Sequence, residues 1–138
     1  LEAGLKVLQS VSECILQPQS DLDKVRQFLH QHHFCIVQEK MLIDEGKYYT
    51  VMRVVHGEES PYTEAEDLYG RHLIDDKSPV LAKYLAGQKN VKEKLLEALY
   101  SKDSEKSLKR QQELLHELQM INDTIARMVD ENAEQRAD

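Results

Sequence analysis

The period of the apolar positions changes near the middle of the chain. Residues 1–9, LEAGLKVLQ, have helical spacing. Leu1 falls where a helix is already under way, with no capping residue before it, so the expectation is a start inside a domain. Residues 13–17, ECILQ, form a short apolar run stopped by Pro18, which predicts a buried strand. Asp21 then predicts a side-chain cap on a helix through about His32. Its Leu22, Val25, Phe28 and Leu29 fall at spacings of three and four on one face. Two runs rich in β-branched and aromatic residues follow, FCIVQEKMLI at 34–43 and KYYTVMRVVH at 47–56. The connector Asp44-Glu45-Gly46 between them predicts an antiparallel hairpin with a bulge or tight turn.

After residue 57 the pattern is irregular up to Ser78, with a short helix expected at 63–69. Ser78-Pro79 is a cap followed by a proline at the first helical position, and predicts a helix to about Tyr100. Gly87 inside it costs on the order of 1 kcal/mol against alanine and marks a place for a kink. Leu81, Tyr84, Gln88, Val91, Leu95 and Ala98 alternate by three and four and are expected to form a seam. A second helix after 101–104 carries the seam Leu114, Leu118, Ile121, Ile125 and Met128. The short polar connector predicts antiparallel pairing as a coiled-coil hairpin. Residues from about Glu131 are expected to fray.

Composition refines this division. Residues 1–57 hold seven acids and six bases, whereas 58–138 hold eighteen acids and twelve bases. The shift places a domain boundary near residue 57. The formal net charge of -7 repels phosphate at long range, so nucleic-acid binding needs a local basic patch. No apolar stretch approaches the roughly 20 residues of a membrane span, and no signal peptide is visible. The two cysteines, Cys14 and Cys35, sit beside apolar residues and read as small buried hydrophobes in a cytoplasmic protein.

Candidate chemistry is sparse. Gln17, Pro18 and Gln19 follow the C-terminal end of an expected parallel strand, where ligands of open α/β sheets bind. His30, His32 and His33 lie at a helix end without acidic or cysteine ligands at matching spacing, so they read as a solvated terminus and not a metal site. Glu58 and Glu59, like Asp75 and Asp76, read as solvated charge. Tyr48, Tyr49, Tyr62 and Tyr69 read as half-buried packing residues, although tyrosines can also stack on bases. Lys92, Lys94, Lys102, Lys106, Lys109 and Arg110 cluster in sequence around the connector of the two long helices. Such a tip can contact RNA phosphates, or it can be a charged helical surface with local ion pairs. No catalytic, metal or cofactor-binding residue is assigned.

An ordered set of segments carries a family resemblance. These are LEAG at 1–4, ILQPQ at 15–19, HHFCIVQE at 32–39, EGKYYTVMRV at 45–54, YTEAEDLYG at 62–70 and SPVLAKYLAGQKN at 78–90. Together they resemble the C-terminal portion of the bacterial tRNA (adenine-22-N1)-methyltransferase family, a class I S-adenosylmethionine-dependent group. The resemblance implies an α/β plus α architecture. Residues 1–57 are then the end of a Rossmann-like methyltransferase sheet (strand, helix, antiparallel β-hairpin), and residues 58–138 are a helical coiled-coil domain. It implies S-adenosylmethionine as cofactor of the full-length parent and tRNA as partner. Gln17, Pro18 and Gln19 become the border of the target-adenine pocket, with Gln19 where the family pattern has asparagine. The six basic residues become the tRNA contact. The family's Asp-x-Gly-x-Asp-His and Gly-Met-Gly-Gly segments have no counterpart here, so the chain alone is expected to bind no donor tightly and to be inactive. A free sheet edge near residues 12–18 is expected to drive self-association. The rival expectation is a stand-alone coiled-coil interaction or dimerisation module.

Overall fold

The structure, a computed structural model, describes residues 12–129. The expected helix at 1–9 and the expected fraying from Glu131 lie outside those residues. The contacts divide the chain into two compact units, Leu1–Ser78 and Pro79–Asp138. The composition changes near residue 57, but the first unit continues to Ser78. Two short helices in that interval pack onto the sheet and helix before them.

The first unit is built on a three-stranded sheet. Its elements are β1 (Glu13–Leu16), α1 (Leu22–Gln31), β2 (Phe34–Asp44), β3 (Lys47–His56), α2 (Glu64–Tyr69) and α3 (Arg71–Asp75). The strand order is β1-β3-β2, and β3 is antiparallel to both neighbours. β1 and β2 therefore run the same way without touching. The sequence placed β1 in a parallel pairing; among the described residues its hydrogen-bonded neighbour is the antiparallel β3. It is also not the buried strand expected, because Ile15 is 66% exposed. Only Cys14 and Leu16 turn to the core, as alternate residues on a half-covered strand must.

One face of this sheet is closed by α1. Val25 and Leu29 pack with Phe34, Ile36, Met52 and Val54, and Leu22 and Tyr62 close the edge. Cys14 and Cys35 are both only partly buried, so the expectation of two buried thiols fails. The helix starts without the side-chain cap expected of Asp21. That residue adopts a left-handed φ of 52° and its side chain makes no capping bond. Side-chain capping needs an extended N-cap backbone, which this conformation removes. Its carbonyl still accepts from Val25 N at 3.0 Å.

The hairpin turns at Glu45 and Gly46, with φ of 50° and 78°. Two successive positive φ values match the twist of the flanking strands, which is why a glycine is used here. A bulge interrupts the ladder between Ile36 and Gln38. It changes the parity of β2. Phe34 and Ile36 face the core before it, and Glu39 and Met41 face the core after it. Strict alternation would have buried Gln38 and Lys40 instead.

Glu39 is turned inward to meet Arg26. Nε and Nη2 of Arg26 donate to Oε1 and Oε2 of Glu39, both at 2.9 Å, with the side chains 1% and 0% exposed. Nη1 of Arg26 donates to the carbonyl of Asp67 at 2.6 Å, tying α2 to the same pair. Gly70, with φ of 94°, passes directly over it. A Cβ there would stand 2.7 Å from Glu39 Oε2, so only glycine fits. The short helix expected at 63–69 is present as α2, opened by a capping box between Thr63 and Glu66. α3 was not anticipated.

The second unit holds α4 (Pro79–Leu99) and α5 (Glu105–Val129). α4 starts at Pro79 as expected and runs unbroken through Gly87. Lys92 pairs with Glu117, and Leu99 O accepts from Gln111, so residue numbers rise on one helix as they fall on the other. The two helices are antiparallel. Four of the five expected seam residues of α5 are buried: Leu114, Leu118, Ile121 and Met128. Thr124 is buried where Ile125 was expected. In α4 the expected seam is out of phase. Leu81, Leu85 and Leu96 are buried, while Val91 and Leu95 are 53% and 47% exposed.

Candidate functional site

Gln17, Pro18 and Gln19 leave β1 at its C-terminal end. There Leu16 pairs with Met52, and Glu13 at the opposite end pairs with Val55. Gln17 and Gln19 are exposed, and Pro18 is half-buried. Arg53 Nε holds Glu13 Oε1 at 2.9 Å across the β1–β3 pair. The three residues are thus an open corner at one end of the sheet. Two exposed amides there offer donors and acceptors for a base edge. Neither supplies a group that readily gives or takes a proton near neutral pH.

The histidines at the other end of α1 do not converge on a point. His30 Nε2 meets Glu59 Oε2 at 2.8 Å, and its ring lies edge-on to Tyr62 at 4.3 Å. His33, in the left-handed region at φ 64°, pairs with Glu58. His32 packs on Phe28. Glu59 was expected to be solvated charge. Instead it is largely covered and also accepts from Ile36 N at 2.9 Å. The segment after β3 is therefore fastened to α1 and β2. Arg71 completes the fastening. It donates to Glu66, to the Ser60 carbonyl and hydroxyl and to the Pro61 carbonyl, with its guanidinium 4.3 Å over the Tyr62 ring. The hydrogen bond to Glu66 raises its pKa further. Burial, with Glu59 and Glu39 nearby, pushes the Tyr62 hydroxyl well above its ordinary value.

Sequence reading missed this polar framework. A trace of it was present: Arg26 follows Val25 on the apolar stripe of α1, where a charged side chain needs a buried partner. Glu39 could not be named as that partner without the bulge.

In the second unit the six basic residues divide into two groups. Lys92 Nζ is 3.1 Å from Glu117, and Arg110 Nη1 is 3.1 Å from Glu113 and 3.8 Å from Glu117. Antiparallel pairing brings Glu117 to Lys92, from which it is distant in sequence, whereas Arg110 meets Glu113 and Glu117 along its own helix. Lys94, Lys102, Lys106 and Lys109 are exposed and carry no ion pair among the described residues. The connector between the helices is fixed in place. Ser104 Oγ accepts from Ser107 N at 3.1 Å, and Ser107 Oγ donates to the carbonyls of Leu99 and Lys102, both at 3.3 Å. Lys102, Lys106 and Lys109 thus stand at a held tip.

Among the described residues no group of three histidines, cysteines or acids is placed to hold a metal, and no helix is long and apolar enough to cross a membrane. A sheet of order β1-β3-β2 with its last strand inserted antiparallel is the end of a Rossmann-like α/β sheet. The solved structures agree. A Streptococcus agalactiae protein of the NADB-Rossmann superfamily matches with TM-score 0.76 and 23% identity, over 90% of this chain and 52% of its own.

The chain belongs to the tRNA (adenine(22)-N(1))-methyltransferase family, TrmK, whose model matches residues 1–123. A candidate tRNA (m1A22) methyltransferase of Streptococcus pneumoniae is 30% identical with TM-score 0.78, over 90% of this chain and 54% of its own. That protein has also been solved with S-adenosyl-L-methionine. The m1A22 tRNA methyltransferase TrmK of B. subtilis matches with TM-score 0.78 and 23% identity, over 90% of this chain and 56% of its own. No curated protein matches. The chain spans about half the length of the solved relatives. S-adenosylmethionine is the cofactor of the parent family.

Proposed function

We propose that this chain is the C-terminal portion of an S-adenosylmethionine-dependent enzyme that forms N1-methyladenine at position 22 of tRNA. The family match over residues 1–123 carries the proposal. Residues 1–78 then end the methyltransferase domain, and residues 79–138 hold the helical domain. Among the residues described, nothing corresponds to a glycine-rich strand-to-helix turn that lets a backbone approach a cofactor closely. The donor is therefore bound by the part of the enzyme that this chain does not span, and the chain alone is inactive. Gln17, Pro18 and Gln19 border the pocket for the target base. The direct test uses the chain extended by the N-terminal portion that its relatives have. That protein methylates a tRNA carrying A22 and leaves a G22 version unmodified. Methylation of both, or of neither while the donor binds, refutes the assignment.

In this reading the α4–α5 tip docks tRNA through Lys102, Lys106 and Lys109, with Lys94 adding charge. Lys92 and Arg110 have carboxylate partners and contribute less. Phosphate contacts of this kind give affinity that falls steeply with salt. Replacing Lys102, Lys106 and Lys109 by glutamine in the extended enzyme lowers the slope of log affinity against log salt by about 2–3. An unchanged slope removes the tip from the interface. The outer edge of β1, unpaired among the described residues, supports a further reading, that the 138-residue chain associates with itself through residues 12–18.

A further inference from the structure

One tyrosine of this chain stands out in solvent. Tyr100, at the C-terminal end of α4, is 61% exposed. The other tyrosines, Tyr48, Tyr49, Tyr62, Tyr69 and Tyr84, are half-buried, and Phe28 and Phe34 are half-buried and buried. The Tyr100 side chain makes no hydrogen bond, ion pair or ring contact among the described residues. We propose that Tyr100 is a platform on which an unpaired base of a tRNA loop stacks, while Lys102, Lys106 and Lys109 hold the phosphates beside it. This rests on the reading of the α4–α5 tip as the tRNA-docking surface.

The backbone that carries the ring is fixed. Tyr100 N donates to Leu96 O at 3.2 Å, and Lys102 N donates to Leu99 O at 3.0 Å. Ser107 and Gln111 of α5 both donate to the Leu99 carbonyl, one residue before Tyr100. The end of α4 is thus tied to α5. A tyrosine on a held backbone has only two side-chain torsions to order, so it supplies contact area at low entropic cost. An exposed ring of this kind is a feature that interfaces bury.

Charge narrows the partner. Asp103 and Glu105 interleave with the lysines, so residues 100–109 hold three bases against two acids. On a chain of net charge -7, that excess is too small for phosphate attraction alone to hold an RNA. A contact that does not depend on charge is needed, and the ring provides it. Base–aromatic stacking tolerates any base, because every base has a π-face. It selects the shape of the RNA instead. Bases inside a duplex are stacked on their neighbours, whereas loop bases can be splayed onto an aromatic side chain. The ligand is therefore an RNA with a loop, not a continuous duplex.

The test is fluorescence anisotropy of two labelled RNAs with the 138-residue chain. One is a stem–loop with a uridine loop, the other a blunt duplex with the same number of phosphates. The expected result is tighter binding of the stem–loop. Tyr100→Ala weakens that binding by about tenfold or more and leaves its slope against salt unchanged. Tyr100→Phe keeps the affinity, and the duplex responds to neither variant. The chain has no tryptophan, so Tyr100→Trp introduces a sole indole, whose emission the stem–loop quenches and the duplex does not. Stem–loop binding that the triple lysine-to-glutamine variant weakens and Tyr100→Ala leaves unchanged overturns the platform while the tip reading stands. Binding that neither change weakens, or no binding at all, overturns the tip reading with it. A Tyr100→Phe variant as weak as the alanine one, or an equal loss on the duplex, also overturns the platform.

Discussion

The Arg26–Glu39 pair sets the largest single-residue sensitivity in the first unit. Both side chains are essentially inaccessible to water, so removing one leaves a desolvated charge without a partner. Arg26→Leu is expected to cost about 3–5 kcal/mol in denaturant unfolding. Adding Glu39→Leu to it restores most of that loss, because two apolar side chains need no compensation. A double variant no more stable than the single one contradicts this account. Asp67 makes a pH-dependent prediction. Burial raises its carboxyl above the ordinary 3.8, so on acidification the folded chain takes up this proton before the unfolded chain does. Its contribution to stability is therefore complete below the unfolded value and is lost as pH rises through the folded one. Asp67→Asn removes that loss. The stability of the variant relative to the parent is expected to rise with pH across the window, as read from urea midpoints at a series of pH values. A flat or falling difference contradicts the direction.

Helices α4 and α5 show where periodicity is informative and where it misleads. On α5 the apolar residues form a single stripe, and the expected seam is displaced only where Thr124 replaces Ile125. On α4 two stripes compete. Val91, Leu95 and Ala98 continue the heptad begun at Leu81, but Leu85, Leu96 and Leu99 are the residues that turn inward. The choice between stripes depends on the partner: Leu96 and Leu99 meet Leu114 and Leu118. Sequence periodicity contains no such information. Leu96→Ala is accordingly expected to cost about 2–5 kcal/mol, as core truncations do. Leu95→Ala stays within about 0.5 kcal/mol. Thermal unfolding of the two variants decides, and equal losses would restore the original phase. The sheet was more legible. The hairpin was visible in its β-branched runs and in Glu45-Gly46. The bulge at 36–38, and with it the inward turn of Glu39, left no local signature. The Asp21 cap failed because a left-handed backbone is not readable from residue type alone.

At the level of the whole molecule, the ordered sequence segments and the family model over residues 1–123 lead to one family, and the sheet topology agrees with its fold. The segments span both units, and the fold matches solved structures almost twice the length of this chain with TM-score 0.78. The candidate site was legible only in part. Gln17, Pro18 and Gln19 could be placed because a strand end is readable from the following proline. The basic residues could be listed but not fully sorted, because Glu117 reaches Lys92 only through helix pairing, although Glu113 stands three residues after Arg110 on the same helix. The proposal is that this chain completes an enzyme whose donor site lies in the remaining portion. It is tested most directly by methyl transfer from labelled S-adenosylmethionine to bacterial tRNA. The 138-residue chain and a version extended by the relatives' N-terminal portion are assayed side by side. Incorporation at A22 with the extended protein and none with the 138 residues is the predicted result. Incorporation by the 138 residues alone would place the chemistry in side chains assigned here to structure, and would contradict the account.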